Sequence, residues 1–175
     1  MIITVAELRE YTNIAATDTE LEARLQALES AIRKYTNNNF NDMGYRTVVS
    51  MIANNVITVE EAIFEVGDTI QLNKSRINKQ LYTVISVSGR EIIVDKDVKD
   101  EYGVFATKVV YPPDIKFGIV GMIKWDFENR SKIGIQSETI SRHSVTYFNM
   151  DGDNSIMGYP KSLLGFLKPY KKARF

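Results

Sequence analysis

The sequence predicts an α+β protein: a helical core of two N-terminal helices with one long and one short C-terminal helix, carrying an inserted small β-barrel-like domain. Three observations predict it. Apolar residues step by 4 and 3 from Leu21 to Tyr35 and crowd residues 115–127, which is helical spacing. Between about 45 and 112 that period gives way to short runs rich in Val, Ile, Thr and Tyr, the composition of strands. Pro112-Pro113 then closes the strand-rich stretch. The reading therefore assigns residues 1–44 and 113–175 to the helical part and 45–112 to the insert.

Taken in order, Thr4 followed by Glu7 has the spacing of a capping box and opens a short helix over VAELREYT. Thr17 with Glu20 repeats the pattern ahead of DTELEARLQALESAIRKYT, whose Leu21, Leu25, Leu28, Ile32 and Tyr35 form a narrow apolar seam. Asn37, Asn38 and Asn39 end it, because Asn favours turns over helix interiors. The strand candidates are YRTVVSMIA, VITV, TIQL, LYTVISV, REIIVD and VFATKVVY, with Ser88-Gly89 as a tight hairpin turn. Asp114 is expected to cap the long helix IKFGIVGMIKWDFENR, which is apolar on nearly every side. Such a helix must be covered on more than one face, and a second subunit could supply part of that cover. Gly118 and Gly121 leave a flat spot on it where another backbone could approach. Pro160 starts a last short helix, and Pro169 is expected to end it and release KPYKKARF as an extended, mobile tail.

Composition narrows the function. The chain has 175 residues, no cysteine and one histidine. Thiolate nucleophiles, disulfides and Cys-bearing zinc sites are excluded, and the absence of cysteine fits a reducing compartment. No apolar run reaches the roughly 20 residues of a membrane span, and MIITVAELRE lacks the features of a signal peptide. The expectation is a soluble protein that stays inside the cell making it. Net charge is zero but uneven: residues 1–35 carry six acidic and four basic side chains, and the last fifteen carry five basic and none acidic.

Chemistry finds few components. His143 sits in ISRHSVTYF with no GxSxG elbow to serve a Ser–His–Asp mechanism, and a single histidine cannot build an HExxH site. Asp151 and Asp153 begin like a calcium loop, but Ile156 stands where the turn needs Gly, and Ser162 where a bidentate Glu belongs. DKDVKDE at 95–101 interleaves its carboxylates with Lys96 and Lys99, which favours a solvated loop over a metal site. No phosphate-cradling glycine motif occurs. The reading is a non-enzymatic protein with no cofactor and no metal.

Two blocks of sequence carry a resemblance. TVAELREYTNI…TDTELEARLQALESAIRKYTNNNF resembles the opening of the tailed-phage head–tail connector (adaptor) family, a short helix followed by a longer one ending near Tyr35. SETISRHSVTYF…GYPKSLLGFLKPYKKARF resembles prophage-encoded members through Ser137, Glu138, Ser141, Ser144, Val145, Thr146 and Tyr147. Gly158, Tyr159, Pro160, Leu163, Leu164, Leu167, Pro169, Tyr170 and Arg174 carry it onward. The resemblance spans a little under half of the chain, and the strand-rich insert departs from the smaller, mostly helical members. It implies a structural virion protein at the neck of a siphophage, assembled in the host cytoplasm. There it would form a ring, typically twelvefold, beneath the portal, linking the DNA-filled capsid to the tail. Its partners would be copies of itself, the portal protein, the next head-completion protein and DNA passing through without sequence-specific binding, with no membrane involved.

On this reading the subunit-interface candidates are Trp125 on the apolar helix and Glu138, Ile140, Arg142, His143, Val145 and Tyr147. The last six lie on an extended segment suited to joining a neighbour's sheet. The portal-contact candidates are Lys168, Tyr170, Lys171, Lys172, Arg174 and Phe175 in the tail. The alternative is a nucleic-acid-binding small-barrel module.

Overall fold

The computed structural model describes residues 1–129, 131, 137–140, 143–146 and 154–173, with backbone pairing alone for 137–140 and 143–146. The chain divides into two compact units, residues 39–110 and residues 1–38 with 111–175.

The first unit is a closed antiparallel barrel. Its strands are β1 (Asn41–Ala53), β2 (Val56–Val59), β3 (Thr69–Asn73), β4 (Leu81–Ser88), β5 (Glu91–Val94) and β6 (Val104–Val109), in the order β1-β2-β5-β4-β3-β6. Closure comes from β6, which pairs with β1 through Val49↔Val104 and with β3 through Leu72↔Ala106, so no edge is left open. Alternation fixes the inside: Ile70 and Leu72, Tyr82 and Val84, Ile92 and Val94 point inward from their strands. With Val49, Ile52, Ile57, Val59, Phe64, Val98, Val104 and Ala106 they make one buried cluster of fourteen residues. Burying each of the larger aliphatic side chains is worth about 1.5–3 kcal/mol.

Short-range turn chemistry sets the registers. Asn54 and Asn55 both have positive φ, 53° and 65°, as a two-residue turn twisted to match its strands requires. Gly89, at φ 59°, does the same between Ser88 and Glu91.

The second unit holds α1 (Val5–Tyr11), α2 (Asp18–Thr36) and α3 (Pro113–Asn129). Thr4 closes the reciprocal capping box with Glu7, its Oγ1 accepting from Glu7 N–H at 3.1 Å while Glu7 Oε2 accepts from Thr4 N–H at 2.8 Å. At α2 only half of the expected box forms: Thr17 accepts from Glu20 N–H at 3.2 Å, whereas the Glu20 carboxylate accepts from Arg24 Nε at 3.0 Å. Leu21, Leu25, Leu28 and Ile32 are buried as their spacing predicts, and Asn37 ends the helix in the left-handed region. Pro113, not Asp114, opens α3 at a position that needs no N–H.

The expected helical core with one long and one short C-terminal helix does not fit this architecture. A six-stranded antiparallel sheet forms around its own interior, and the helices are not the core. The narrow seam on α2 is one stripe wide, which suits packing on a neighbour but cannot enclose an interior by itself. The short C-terminal helix is also not an α-helix. Lys161–Tyr170 is wound as a 3-10 helix that takes Pro169 inside it. The flat spot at Gly118 receives a side chain from this segment and no backbone: a Cβ there would run into the Phe166 ring, and at Gly121 it would touch Leu163 at 3.6 Å. The cover of α3 expected from another subunit thus comes in part from the chain's own C-terminal segment.

Candidate functional site

The segment singled out in the sequence folds back on itself. β7 (Ser137–Ile140) and β8 (His143–Thr146) pair antiparallel as Ser137↔Thr146, Glu138↔Val145, Thr139↔Ser144 and Ile140↔His143. The sequence showed its extended character, but not that it is a two-stranded ribbon. The dipeptide Ser141-Arg142 between the strands carries neither the Gly nor the Asn that marks a tight turn. Among the described residues the ribbon pairs with no third strand. The structure thereby places Glu138, Ile140, His143 and Val145 on one ribbon, Glu138 directly opposite Val145 and Ile140 opposite His143. Arg142 and Tyr147 lie outside the described residues, as do Asp151 and Asp153.

Trp125 sits elsewhere, half-buried on α3, with its ring tilted against Tyr159 at a centroid distance of 5.4 Å. Tyr159 belongs to a short two-stranded pairing of β9 (Ser155–Ile156) and β10 (Tyr159–Pro160). Its hydroxyl donates to Asp126 Oδ2 at 2.7 Å, and Arg24 Nη1 lies 3.9 Å from the same oxygen. A buried carboxylate held by a hydroxyl and a guanidinium is a satisfied structural group. Arg24, Asp126 and Tyr159 line a shallow groove of about 310 Å³ with Ala27, Leu28, Ala31 and Met157.

The C-terminal strip departs furthest from expectation. Tyr170 donates to both Asp114 oxygens at 2.8 Å, which raises the phenol above its ordinary range. Lys172 N–H donates to Thr36 O at 2.8 Å, Asn38 Nδ2 to Tyr170 O at 3.1 Å and Asn37 Nδ2 to Ala173 O at 2.8 Å. Lys171 Nζ rests 3.9 Å above the Tyr35 ring. The tail is therefore fastened to the end of α2 through residue 173, and the expectation of a mobile arm from Lys168 onward is overturned. Groups at the end of α2 satisfy its backbone and Asp114 takes its tyrosine hydroxyl, all of them distant in sequence. Lys168, Lys171 and Lys172 remain exposed. Arg174 and Phe175 lie outside the described residues.

One surface was missed. Tyr11 of α1 and Phe117 of α3 meet edge-on at 5.3 Å, yet remain 46% and 60% exposed. They line a groove of about 210 Å³ with Ile3, Pro113 and Val120. Lys116 Nζ lies 3.3 Å from Glu7 Oε1 at its rim. The Glu7 carboxyl is held below its usual range by the Thr4 N–H it accepts, which with Lys116 outweighs its burial. The signal was present: Ile115, Ile119, Met122 and Ile123 share a buried face of α3, and Phe117 falls opposite to it.

On the barrel, two of the four carboxylates of 95–101 have structural partners. Asp95 accepts from Thr83 N–H at 2.7 Å. Glu101 accepts from Ser75 Oγ at 2.5 Å, Arg76 N–H at 2.9 Å and Asn78 Nδ2 at 3.0 Å. Burial would raise the Glu101 carboxyl, but these hydrogen bonds outweigh it and leave it below its ordinary value. Among the described residues no three His, Cys, Asp or Glu converge as metal ligands, and no helix is long and apolar enough to cross a membrane.

No protein-family model matches the chain, and no curated protein matches it.

Proposed function

We propose that the chain is a structural virion subunit, a head–tail connector that assembles as a ring beneath the portal and links the capsid to the tail. The observation that carries the reading is the β7–β8 ribbon, which falls within the second block of family resemblance. Among the described residues it pairs with no third strand; a two-stranded hairpin by itself is marginal in water, and strand addition from a neighbouring copy would complete its hydrogen bonding. The exposed Tyr11–Phe117 pair supports the same reading, because aromatic side chains anchor interfaces well beyond their number. In this proposal the partners are copies of the chain, the portal protein and the next head-completion protein. The chain has no catalytic task, and its place is the neck of the virion.

Electron microscopy of the chain mixed with the portal of its own virus tests the proposal. Added ring density on the portal is the expected result. A chain that leaves the portal bare at micromolar concentration would exclude a connector role.

The barrel as a nucleic-acid module fares less well. Residues 39–110 carry ten acidic and eight basic side chains, the wrong balance for a phosphate-binding domain. Two of its aromatic rings are also occupied: Arg46 and Lys74 stand over Phe105 at 4.2 and 5.0 Å, and Lys108 over Tyr45 at 5.2 Å. Tyr102 is left exposed, and one ring on a unit with an acidic balance is not the row of rings that successive bases stack on.

A further inference from the structure

We propose that the fastened C-terminal strip is a binding surface for the phosphate backbone of DNA. No residue from 154 to 173 is acidic, and Lys168, Lys171 and Lys172 are all exposed there. Lys171 N–H donates to Lys168 O at 3.3 Å, so these two share one turn, and the contact of Lys172 with Thr36 brings the third beside them. The hydrogen bonds from Asn37 and Asn38 hold the strip in place before any partner arrives, which removes an ordering cost that a loose arm would carry.

The kind of partner follows from what the strip has left to offer. An acidic protein groove would be gripped by aromatic and forked hydrogen-bonding anchors. Here those groups are engaged within the chain. Tyr170 is turned to Asp114, Tyr35 lies under Lys171, both asparagine amides hold the tail, and Leu164 and Leu167 are buried. The outward chemistry is a set of exposed ammonium charges, Lys168 and Lys172 on flexible stems and Lys171 resting on the Tyr35 ring. Those suit a repetitive, diffuse anion and carry no sequence information. The assignment does not rest on the ring reading, since portal attachment and DNA binding can each fail while the other holds.

The test is fluorescence anisotropy of the full chain with a labelled random-sequence duplex of about 30 base pairs, across a salt series. Three neutralised phosphates at a slope of about 0.9 each give a loss of about fortyfold between 50 and 200 mM salt. Lys168→Gln/Lys171→Gln/Lys172→Gln should weaken binding at least tenfold at 100 mM salt and reduce the slope by about 3. The matching triple Lys→Arg variant keeps the charge and should bind like the parent, which separates charge from misfolding. No DNA binding by the parent chain would overturn the proposal, as would an unchanged Gln variant or a failed Arg variant. Polyglutamate competing as well as DNA at equal charge would also overturn it, by making an acidic protein the partner.

Discussion

The barrel and the helical unit solve the same problem by opposite means. In the barrel neighbouring strands meet through short connections, through β6 or through the longer-range β2–β5 pairing, and the interior is filled by residues whose alternation is local. In the helical unit, α3 is completed by a segment from the far end of the chain. Phe166 fills the surface over Gly118, Leu163 that over Gly121, and Tyr170 reaches Asp114. The difference teaches where each unit is vulnerable. A closed sheet shares its stability among many ladder hydrogen bonds and side chains, whereas a helix covered by one irregular segment depends on a few contacts closed across a long loop.

The sharpest way to break that comparison is Gly118→Ala. Alanine gains about 1 kcal/mol as a helix former, but its Cβ evicts the Phe166 ring, and overpacking of this kind costs about 1–3 kcal/mol. The expected net result is a loss, read by thermal denaturation. In a Phe166→Ala background the obstacle is gone, so the same substitution should become stabilising by up to about 1 kcal/mol. A Gly118→Ala change that stabilises the chain while Phe166 is present would show that the ring does not sit there.

A comparable probe of the barrel is Asn78→Ala. The buried Asn78 amide donates to Lys99 O at 2.9 Å and accepts from Lys99 N–H at 2.9 Å, and it also reaches Glu101 and the Tyr82 hydroxyl. Losing it strands several polar groups, at about 1–3 kcal/mol. Chemical denaturation should show a lower midpoint with an unchanged slope, because the rest of the closed sheet still unfolds together.

These two positions also mark what could be read in advance. The strands were legible because alternation and turn residues act over a few positions, as in Asn54-Asn55 and Ser88-Gly89. The meaning of Gly118 was not, since its partner Phe166 is far along the chain and no local pattern names it. The tail was misjudged for the same reason: Pro169 suggested release, while the groups that hold the strip are Asn37, Asn38 and Asp114. The 4-3 seam of α2 is buried at its four aliphatic positions while Tyr35 stays half-buried, and one stripe of leucines does not make a core. In the candidate site, the extended character of 137–147 was visible. The pairing of β7 with β8 was not, because Ser141-Arg142 carries no turn signature. Tyr11 and Phe117 went unnoticed because the helix carrying Phe117 is apolar nearly all round.

The smallest expected effect is electrostatic and lies in the barrel. Glu101 is held below its ordinary carboxyl value, so its contribution to stability is present above its unfolded pKa and is lost as pH falls through the folded one. Glu101→Gln should therefore lower stability at neutral pH and flatten the fall in stability on the acid side. Equal acid sensitivity in the parent and the Gln variant would show that Glu101 plays no part in it.

Hydrogen exchange, followed by mass spectrometry on the parent and on Gly118→Ala, tests the contrast between the two units most directly. Peptides covering α3 and residues 161–170 should lose protection in the variant, while those covering Val56–Val59, Leu81–Ser88 and Glu91–Val94 keep theirs. Equal loss of protection in the barrel strands would contradict the account, because the barrel would then owe its stability to the same few contacts as the helices.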